Sequence, residues 1–245
     1  MNSLKPLLQY EAANQTKKGV PVIVVAGGSS ARMGQNKQLI KLCGVPVLVR
    51  TLKAFQLSDA VSNIILVAAS DTVLEYQALC ESYMLTKVSD IVEGGANRQE
   101  SVLCGMKRLK ADDEIVLIHD GARPLVSDDI INSVIGGLNE FDAVIPVVKV
   151  KDTIKQIDQN GVVIKTVKRD DLVQVQTPQG IKVKKYLSAL KGKDLNTFTD
   201  DASIFEAAGE RVLTVMGDYK NIKITTPEDI AVAVAFLKED FAQCE

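Results

Sequence analysis

A run of small residues with two cations nearby follows the first apolar segment of the chain. Ala26, Gly27 and Gly28 open the segment AGGSSARMG, which contains Arg32, and Lys37 lies three residues beyond it. Small residues let backbone N–H groups approach phosphate oxygens, and the two side chains add positive charge. The spacing fits neither a P-loop nor a G-x-G-x-x-G turn. A polyphosphate cradle and a plain turn with two solvated cations both remain open, and the position after a strand favours the cradle.

The motif HDGARP follows a later apolar run and contains the only histidine of the chain. Asp120 in this motif could hold a magnesium ion shared with substrate phosphates, or a ribose hydroxyl. An aspartate that caps a turn is the alternative. We expect His119 to be a structural, hydrogen-bonded residue, because one imidazole cannot build a His-rich metal centre. The chemistry must therefore depend on Lys, Arg, Asp and the backbone.

The composition excludes several classes of protein. The 245 residues are 46% hydrophobic and 24% charged, and 29 Lys and Arg against 31 Asp and Glu give a net charge of -2. This balance argues against nucleic-acid binding. No apolar run approaches the ~20 residues of a membrane helix, and residues 1–19 resemble neither a signal nor a transit peptide. We expect a cytoplasmic protein in which residues 1–19 are a polar leader.

Apolar runs alternate with helix-like stretches, which predicts an α/β fold. Continuous rather than alternating apolar residues predict buried strands of a mainly parallel sheet at residues 20–26, 63–68, 115–118 and 143–148. A capping-box pattern, Asn97 with Glu100, predicts a helix over residues 97–109. A second helix is predicted to start at Pro227 with Thr226 as its cap. We expect one domain over residues 20–241.

A hairpin interrupts this alternation. Residues 153–158 and 162–168 are rich in Ile, Val and Thr, and Asn160-Gly161 between them is a strong hairpin signal. A two-stranded ribbon is marginal alone, so its apolar side chains need another surface. We expect residues 150–168 to form a projecting β-arm that contacts a partner in a homodimer. Further along, residues 220–225 are expected to form a short strand that carries Lys223.

Eight motifs occur together in the order of one family: AGGSSARMG-x-x-K, EGGANRQESV, HDGARP, KDTIK, TVKRDDL, QTPQ, TDDAS and NIKITTPEDI. Over roughly residues 20–237, the chain resembles the 2-C-methyl-D-erythritol 4-phosphate cytidylyltransferases of the non-mevalonate isoprenoid pathway. The resemblance implies a three-layer Rossmann-like nucleotidyltransferase fold, a homodimer with a swapped β-arm, and dependence on Mg²⁺. The implied reaction converts CTP and methylerythritol phosphate into the cytidyl diphosphate product and pyrophosphate.

The resemblance also implies roles for individual residues. Arg32 and Lys37 would stabilise the transition state, and Arg169 and Lys223 would position the acceptor phosphate. The other implied sites are Ala26, Gly27 and Gly28 along the nucleotide, Gly95 and Ser101 near cytosine, Asp120 on the metal or ribose side, Thr153 on the arm and Thr199 near the acceptor. Ala96 stands where the family often has an aspartate, which leaves only backbone groups at that position to contact the base.

The implied reaction fits a chain with one histidine. The second pKa of a phosphate is near ~6, so the acceptor is already anionic and can attack without a general base. Such a displacement needs positive charge to neutralise the α-phosphoryl oxygens and the departing pyrophosphate. Two alternatives remain: a cytidylyltransferase acting on ribitol 5-phosphate, which shares the first glycine segment and parts of the other motifs, and a non-catalytic nucleotide-binding module.

Overall fold

The computed structural model describes residues 19–28 and 36–242, with side chains of the last helix described to Glu239. The strands are β1 (Val20–Val25), β2 (Lys41–Leu42), β3 (Val45–Pro46), β4 (Val61–Ala68), β5 (Val88–Glu93), β6 (Ile115–Asp120), β7 (Ala143–Lys149), β8 (Ile154–Ile157), β9 (Val163–Val167), β10 (Val173–Val175), β11 (Gln179–Lys182) and β12 (Val212–Met216). The helices are α1 (Val47–Leu57), α2 (Val73–Ser82), α3 (Arg98–Met106), α4 (Asp128–Gly137), α5 (Val183–Ala189), α6 (Ala202–Ala207) and α7 (Pro227–Ala242).

Eight strands form a mainly parallel sheet, as the apolar runs predict. The order is β10-β7-β11-β6-β1-β4-β5, and β7 also pairs with β12. β1 is parallel to β4 and β6, β4 to β5, and β7 to β12. β10 and β11 run antiparallel to β7. Because parallel strands end at the same edge, the segments after β1, β4, β5 and β6 meet there.

Helices cover both faces of the sheet and complete three layers. Val22 and Val24 of β1 pack with α1, α2 and α4 on one face, whereas Ile23 packs with α3, α5 and α6 on the other. All three side chains are fully buried, which explains the continuous apolar run. α7 joins a smaller cluster around Leu42 and Ile224. No helix in the described ranges is long and apolar enough to cross a membrane.

Two predicted helix starts are confirmed, and one predicted strand is wrong. The Asn97 side chain accepts the Glu100 N–H at 2.8 Å at the start of α3, and α7 begins at Pro227. Residues 220–225 form no strand. Their backbone forms no ladder: the Ile222 N–H donates to the Lys220 carbonyl at 2.7 Å, the Thr225 N–H donates to the Asp229 carboxylate at 2.7 Å, and the Ile224 N–H donates to the Ala122 carbonyl.

The predicted hairpin forms a sheet of its own. β8 and β9 pair antiparallel, and the Asp158 carboxylate accepts the N–H groups of Asn160 and Val162 in the turn. Gly161 in that turn has φ of +82°, a conformation that favours glycine. Val162 is 62% exposed and Ile164 58% exposed. The arm therefore presents apolar side chains to its surroundings.

Candidate active site

Backbone hydrogen bonds hold the carboxyl ends of four strands together. The Ala26 N–H donates to the Val67 carbonyl at 2.7 Å, and the Gly121 N–H donates to the Val25 carbonyl at 2.9 Å. The Gly94 N–H donates to the carbonyl at the end of β4 at 2.8 Å. A Cβ on Gly27 would lie 3.3 Å from the backbone that follows β4. The turn after β1 therefore passes close to the neighbouring strand end, as a cradle requires.

Lys37 lies in a turn that is anchored at this same edge. The neighbouring Asn36 donates to the Tyr76 hydroxyl at 3.1 Å, and the Gln38 N–H donates to the Asn36 side chain at 3.1 Å. Gln38 is buried, and a Cβ on Gly121 would lie 3.1 Å from its amide nitrogen. The turn that carries Lys37 therefore lies next to the end of β6. Arg32 lies outside the described residues.

Gly95 and Ser101 contact each other directly at the start of α3. The Ser101 hydroxyl accepts the Gly95 N–H at 3.1 Å and donates to the Asn97 carbonyl at 2.9 Å. A side chain at Gly95 would collide with Cβ of Glu100. The Ala96 N–H donates to the Glu100 carboxylate at 2.9 Å, so only its carbonyl is left for a ligand. Ser101 is itself buried, which fixes this loop.

Asp120, at the end of β6, is surrounded by three cations. Its Oδ2 lies 2.8 Å from Nζ of Lys223 and 3.6 Å from Nε of Arg123, and its Oδ1 lies 3.5 Å from Nε of Arg98. Burial alone would raise the pKa of Asp120, but the attraction of these cations outweighs it and holds the pKa below its usual range. The carboxylate stays ionised, and the local excess of positive charge suits phosphate groups.

His119 is a buried structural residue, as expected. Burial lowers its pKa to about 3, so the imidazole is neutral. Its Nε2 lies 3.1 Å from the Arg123 carbonyl, which can only accept, so this nitrogen carries the proton. Nδ1 therefore accepts from the Thr177 hydroxyl at 2.9 Å. That hydroxyl in turn accepts the Asp120 N–H at 3.2 Å and fixes the end of β6.

Side chains, rather than a strand ladder, hold the segment that carries Lys223. Arg123 donates from Nη1 to the Asn221 carbonyl at 2.8 Å, and the buried Asn221 amide donates to the Thr177 carbonyl at 2.9 Å. The Ile224 N–H donates to the Ala122 carbonyl at 2.8 Å. These bonds place Lys223 beside Asp120 although the predicted strand does not form.

A buried aspartate, Asp201, forms an ion pair with Arg98, which is one of the three cations around Asp120. Asp201 is fully buried, and its Oδ2 lies 2.7 Å from Nη1 of Arg98. Tyr186 donates to its other oxygen at 2.9 Å, and the Gln179 amide oxygen accepts the Asp201 N–H at 3.0 Å. Thr199 is exposed two residues earlier. The motifs EGGANRQESV, HDGARP and TDDAS contain Arg98, Arg123 and Asp201, but the sequence indicated no role for these three residues.

Thr153 of the predicted arm and Arg169, which follows the arm, lie on either side of its two strands. Thr153 is exposed, and Arg169 donates from Nη1 to the Lys151 carbonyl at 2.9 Å. The Lys151 ammonium sits 3.6 Å above the Tyr219 ring, and the Tyr219 hydroxyl donates to the Lys149 carbonyl at 2.8 Å. Within the described part of the chain, no hydrogen bond or ion pair connects Thr153 or Arg169 to the cluster around Asp120.

Asp120 has the oxygen chemistry that Mg²⁺ prefers, but it is a single carboxylate. The described residues contain no group of three or more His, Cys, Asp or Glu that could hold a metal. Both Asp120 oxygens already face cations. The residues therefore fit a magnesium ion that arrives with anionic phosphates, and they do not fit an ion bound by protein ligands alone.

Comparison with known proteins assigns the chain to a family. A family model described as 2-C-methyl-D-erythritol 4-phosphate cytidylyltransferase matches residues 20–239. A protein of that name from Alkaliphilus oremlandii is 48% identical over 223 residues, which cover 89% of this chain and 94% of the relative. One from Clostridium novyi is 46% identical over 221 residues, which cover 88% of this chain and 95% of the relative.

Solved structures agree with this match. The structure of 4-diphosphocytidyl-2C-methyl-D-erythritol synthase from Anaerococcus prevotii has a TM-score of 0.78 and 33% identity, and the match covers 90% of this chain and 96% of that one. A 2-C-methyl-D-erythritol 4-phosphate cytidylyltransferase from Thermus thermophilus has a TM-score of 0.73 and 27% identity, over 90% of this chain and 99% of that one. The chain belongs to the 2-C-methyl-D-erythritol 4-phosphate cytidylyltransferase family.

Proposed function

We propose that this protein transfers a cytidylyl group from CTP to 2-C-methyl-D-erythritol 4-phosphate in isoprenoid precursor biosynthesis. The products are 4-diphosphocytidyl-2-C-methyl-D-erythritol and pyrophosphate. The observation that carries the proposal is the contact between Lys223 and the ionised Asp120, 2.8 Å apart at the carboxyl edge of the sheet. It joins two family motifs that are far apart in the sequence. The names of the matched relatives do not favour ribitol 5-phosphate as the acceptor.

The chemistry is a displacement at the α-phosphorus of CTP. An acceptor phosphate oxygen forms the new P–O bond, and the bond to the pyrophosphate oxygen breaks, with no proton to remove. Lys223 and Arg169 position the acceptor phosphate, while Lys37 and Arg32 neutralise charge on the α-phosphoryl oxygens and the leaving group. A neutral, buried His119 is compatible with this reaction because no general base is needed.

Ala26, Gly27 and Gly28 line the nucleotide in this proposal, and Gly95 and Ser101 lie near cytosine. Two observations support that assignment. The turn after β1 runs within van der Waals distance of the end of β4. The hydrogen bond between Gly95 and Ser101 holds the loop before α3 at the same edge. Thr199, which precedes the buried Asp201, belongs to the acceptor side.

We propose that Mg²⁺ enters with CTP, and that Asp120 contributes a carboxylate oxygen to it or to the ribose. When bound, the ion neutralises phosphate charge and orients the triphosphate. The low pKa of Asp120 supports a ligand role, because a ligating carboxylate must be ionised. Calorimetric titration of the protein with Mg²⁺ should detect binding with CTP present, beyond the heat of Mg²⁺ binding to CTP in a protein-free control, and none without CTP. Equal binding without CTP would contradict the proposal.

We propose a homodimer in which the arm of one subunit contacts the other and brings Thr153 and Arg169 to the partner's acceptor site. The exposed apolar side chains of the arm support this arrangement, including Val162 and Ile164. The proposed compartment is the cytoplasm. Within the described residues Cys43, Cys80 and Cys104 are free thiols, which is usual in a reducing compartment.

A nucleotide and acceptor panel tests the function. Pyrophosphate release is measured for CTP, UTP, GTP and ATP, each with methylerythritol phosphate and with ribitol 5-phosphate. We expect release with CTP and methylerythritol phosphate to exceed every other combination. Higher activity with ribitol 5-phosphate would identify the alternative acceptor. CTP binding without pyrophosphate release from any acceptor would identify a non-catalytic nucleotide-binding module.

A further inference from the structure

We infer that Arg98 and Asp201 are positioning residues that fix Lys223 through Asp120. The inference rests on the proposed function, in which Lys223 binds the acceptor phosphate. Four charged side chains alternate in sign along one path. Nη1 of Arg98 lies 2.7 Å from Asp201, its Nε lies 3.5 Å from Oδ1 of Asp120, and Oδ2 of Asp120 lies 2.8 Å from Nζ of Lys223.

The two ends of this path differ in burial. The Lys223 side chain is 39% exposed, those of Arg98 and Asp120 are 22% and 12% exposed, and that of Asp201 is fully buried. Asp201 therefore cannot contact a substrate and can act only through Arg98. Charges attract more strongly where water is excluded, so the inner pair is held more firmly than the outer one.

The inner end of the path is anchored in the core. Tyr186 of α5 donates to Asp201 at 2.9 Å, and Gln179 of β11 accepts the N–H groups of Asp201 and Ala202 at 3.0 Å. Nη1 of Arg98 and Oδ2 of Asp201 are both buried and lie 2.7 Å apart, so water does not screen this ion pair. Asp201 thus holds the Arg98 guanidinium in place from the core side.

Each oxygen of Asp120 faces a different cation, and this sets the orientation of its carboxylate. Arg98 is near one oxygen, and Lys223 and Arg123 are near the other. Without Arg98 the carboxylate can rotate, and the long Lys223 side chain loses a fixed partner. Ordering Lys223 would then cost conformational entropy when the acceptor binds. We expect the loss to appear in the acceptor KM.

The decisive experiment replaces Arg98 and Asp201 together in two proteins, one that keeps Lys223 and one that carries Lys223→Ala. Arg98→Met with Asp201→Asn removes both charges together, so that neither is left buried and unpaired. With Lys223 present, we expect the acceptor KM to rise about tenfold while kcat changes less than about threefold. Lys223→Ala raises the acceptor KM by itself, and in that background the double replacement should change it less than about twofold. Equal increases in both backgrounds would overturn the inference, because a purely structural role adds independently.

Two further variants keep the test decisive if the double variant does not fold. In Arg98→Lys, one nitrogen cannot reach both carboxylates, so we expect a smaller rise in acceptor KM that again disappears with Lys223→Ala. The matched control is Arg50→Lys, since Arg50 donates twice to the Leu42 carbonyl in another part of the fold. We expect no change in the acceptor KM of this control. An acceptor KM that stays unchanged in a folded Arg98→Lys protein would contradict the inference.

A crystal structure of the Arg98 variants separates this inference from the proposed function. We expect the Lys223 ammonium to lie more than about 4 Å from Asp120, beyond ion-pair distance. A distance that stays at 2.8 Å would overturn the inference whatever the activity. If the wild-type protein released no pyrophosphate from CTP and methylerythritol phosphate, the proposed function would be wrong, and the variant structures would still decide whether Arg98 holds Lys223 in place.

Discussion

Asp120 lies within 3.6 Å of three side-chain cations, so positive charge is in excess beside the end of β6. In the proposed reaction two phosphate groups must meet, and their repulsion is the main obstacle. Fixed positive charge lowers that obstacle without any proton transfer. The neutral His119 contributes to this arrangement by holding Thr177, and through it the backbone of Asp120.

Replacing Lys37 should affect the chemical step. We expect Lys37→Ala to lower kcat about a hundredfold or more, because loss of one charge directed at the transition state costs ~3 to 4 kcal/mol. Steady-state pyrophosphate release at saturating substrates measures this effect. The control is Lys41→Ala, an exposed lysine of β2 whose loss should leave kcat unchanged. A higher KM for CTP with normal kcat would assign Lys37 to binding alone.

His119 should make stability depend on pH between 5 and 7. Burial lowers its pKa from 6.5 to about 3, so the unfolded chain binds more protons in this range and stability falls as the pH falls. We expect a loss of about 2 kcal/mol in the free energy of unfolding from pH 7 to pH 5. Urea unfolding of the wild type and His119→Gln at both pH values checks this. Equal losses in the two proteins would show that another group is responsible.

Asp120 could be predicted from the sequence, whereas its neighbours could not. A strand followed by HDGARP indicates which residue lies at the sheet edge, but it says nothing about which cations reach it. Arg98 and Asp201 come from distant segments, and only the folded chain brings them together. Lys223 was proposed from family resemblance alone, because its spacing in the sequence distinguishes it from no other lysine, and the strand predicted to carry it does not form.

The elements that sequence patterns identified best are those buried on both faces. β1, β4, β6 and β7 read as continuous apolar runs because helices cover each side of them. β5 lies at the edge of the sheet and reads V-S-D-I-V-E, which lacks such a run. β10 and β11 are short and are separated by Gln176, Thr177 and Pro178, so no strand pattern was visible there.

The start of α3 offers a test at the level of one element. The Asn97 side chain accepts the Glu100 N–H at 2.8 Å and donates to Asn196 at 3.0 Å. We expect Asn97→Ala to lower the free energy of unfolding by about 1 kcal/mol or more. The matched control is Ser127→Ala at the start of α4, where the capping bond is 3.4 Å long and the loss should be smaller. Urea unfolding measures both. A larger loss from the control would contradict the assigned role of the cap.

At the scale of the whole molecule, the sheet with its two helical layers carries the candidate site at its carboxyl edge, and the arm is not part of that sheet. The alternation of strands and helices predicted these layers, because each layer must bury an apolar face. This alternation could not predict which surface the arm contacts, since the strands of the arm pair in a separate two-stranded sheet. The predicted leader falls almost wholly outside the described residues.

Removing the arm tests the quaternary proposal. We expect a variant that lacks residues 153–166 to sediment as a monomer, whereas the wild type sediments as a dimer. The variant should also lose acceptor turnover, because Thr153 is deleted and Arg169 is no longer carried to the partner. The control is the hairpin substitution Val162→Thr, which we expect to keep the arm and to weaken the dimer only slightly. A monomeric wild type would contradict the proposal.

Both strands of the arm are also edge strands, since β8 and β9 pair in a sheet of their own. Such ribbons readily recruit strands from other copies, and natural proteins discourage this with charges. Lys155 on one strand and Lys165 on the other supply those charges and are exposed. The arm therefore carries its own safeguard against edge-to-edge aggregation. We expect neutralisation of these two ammonium groups to make the chain aggregate through the arm.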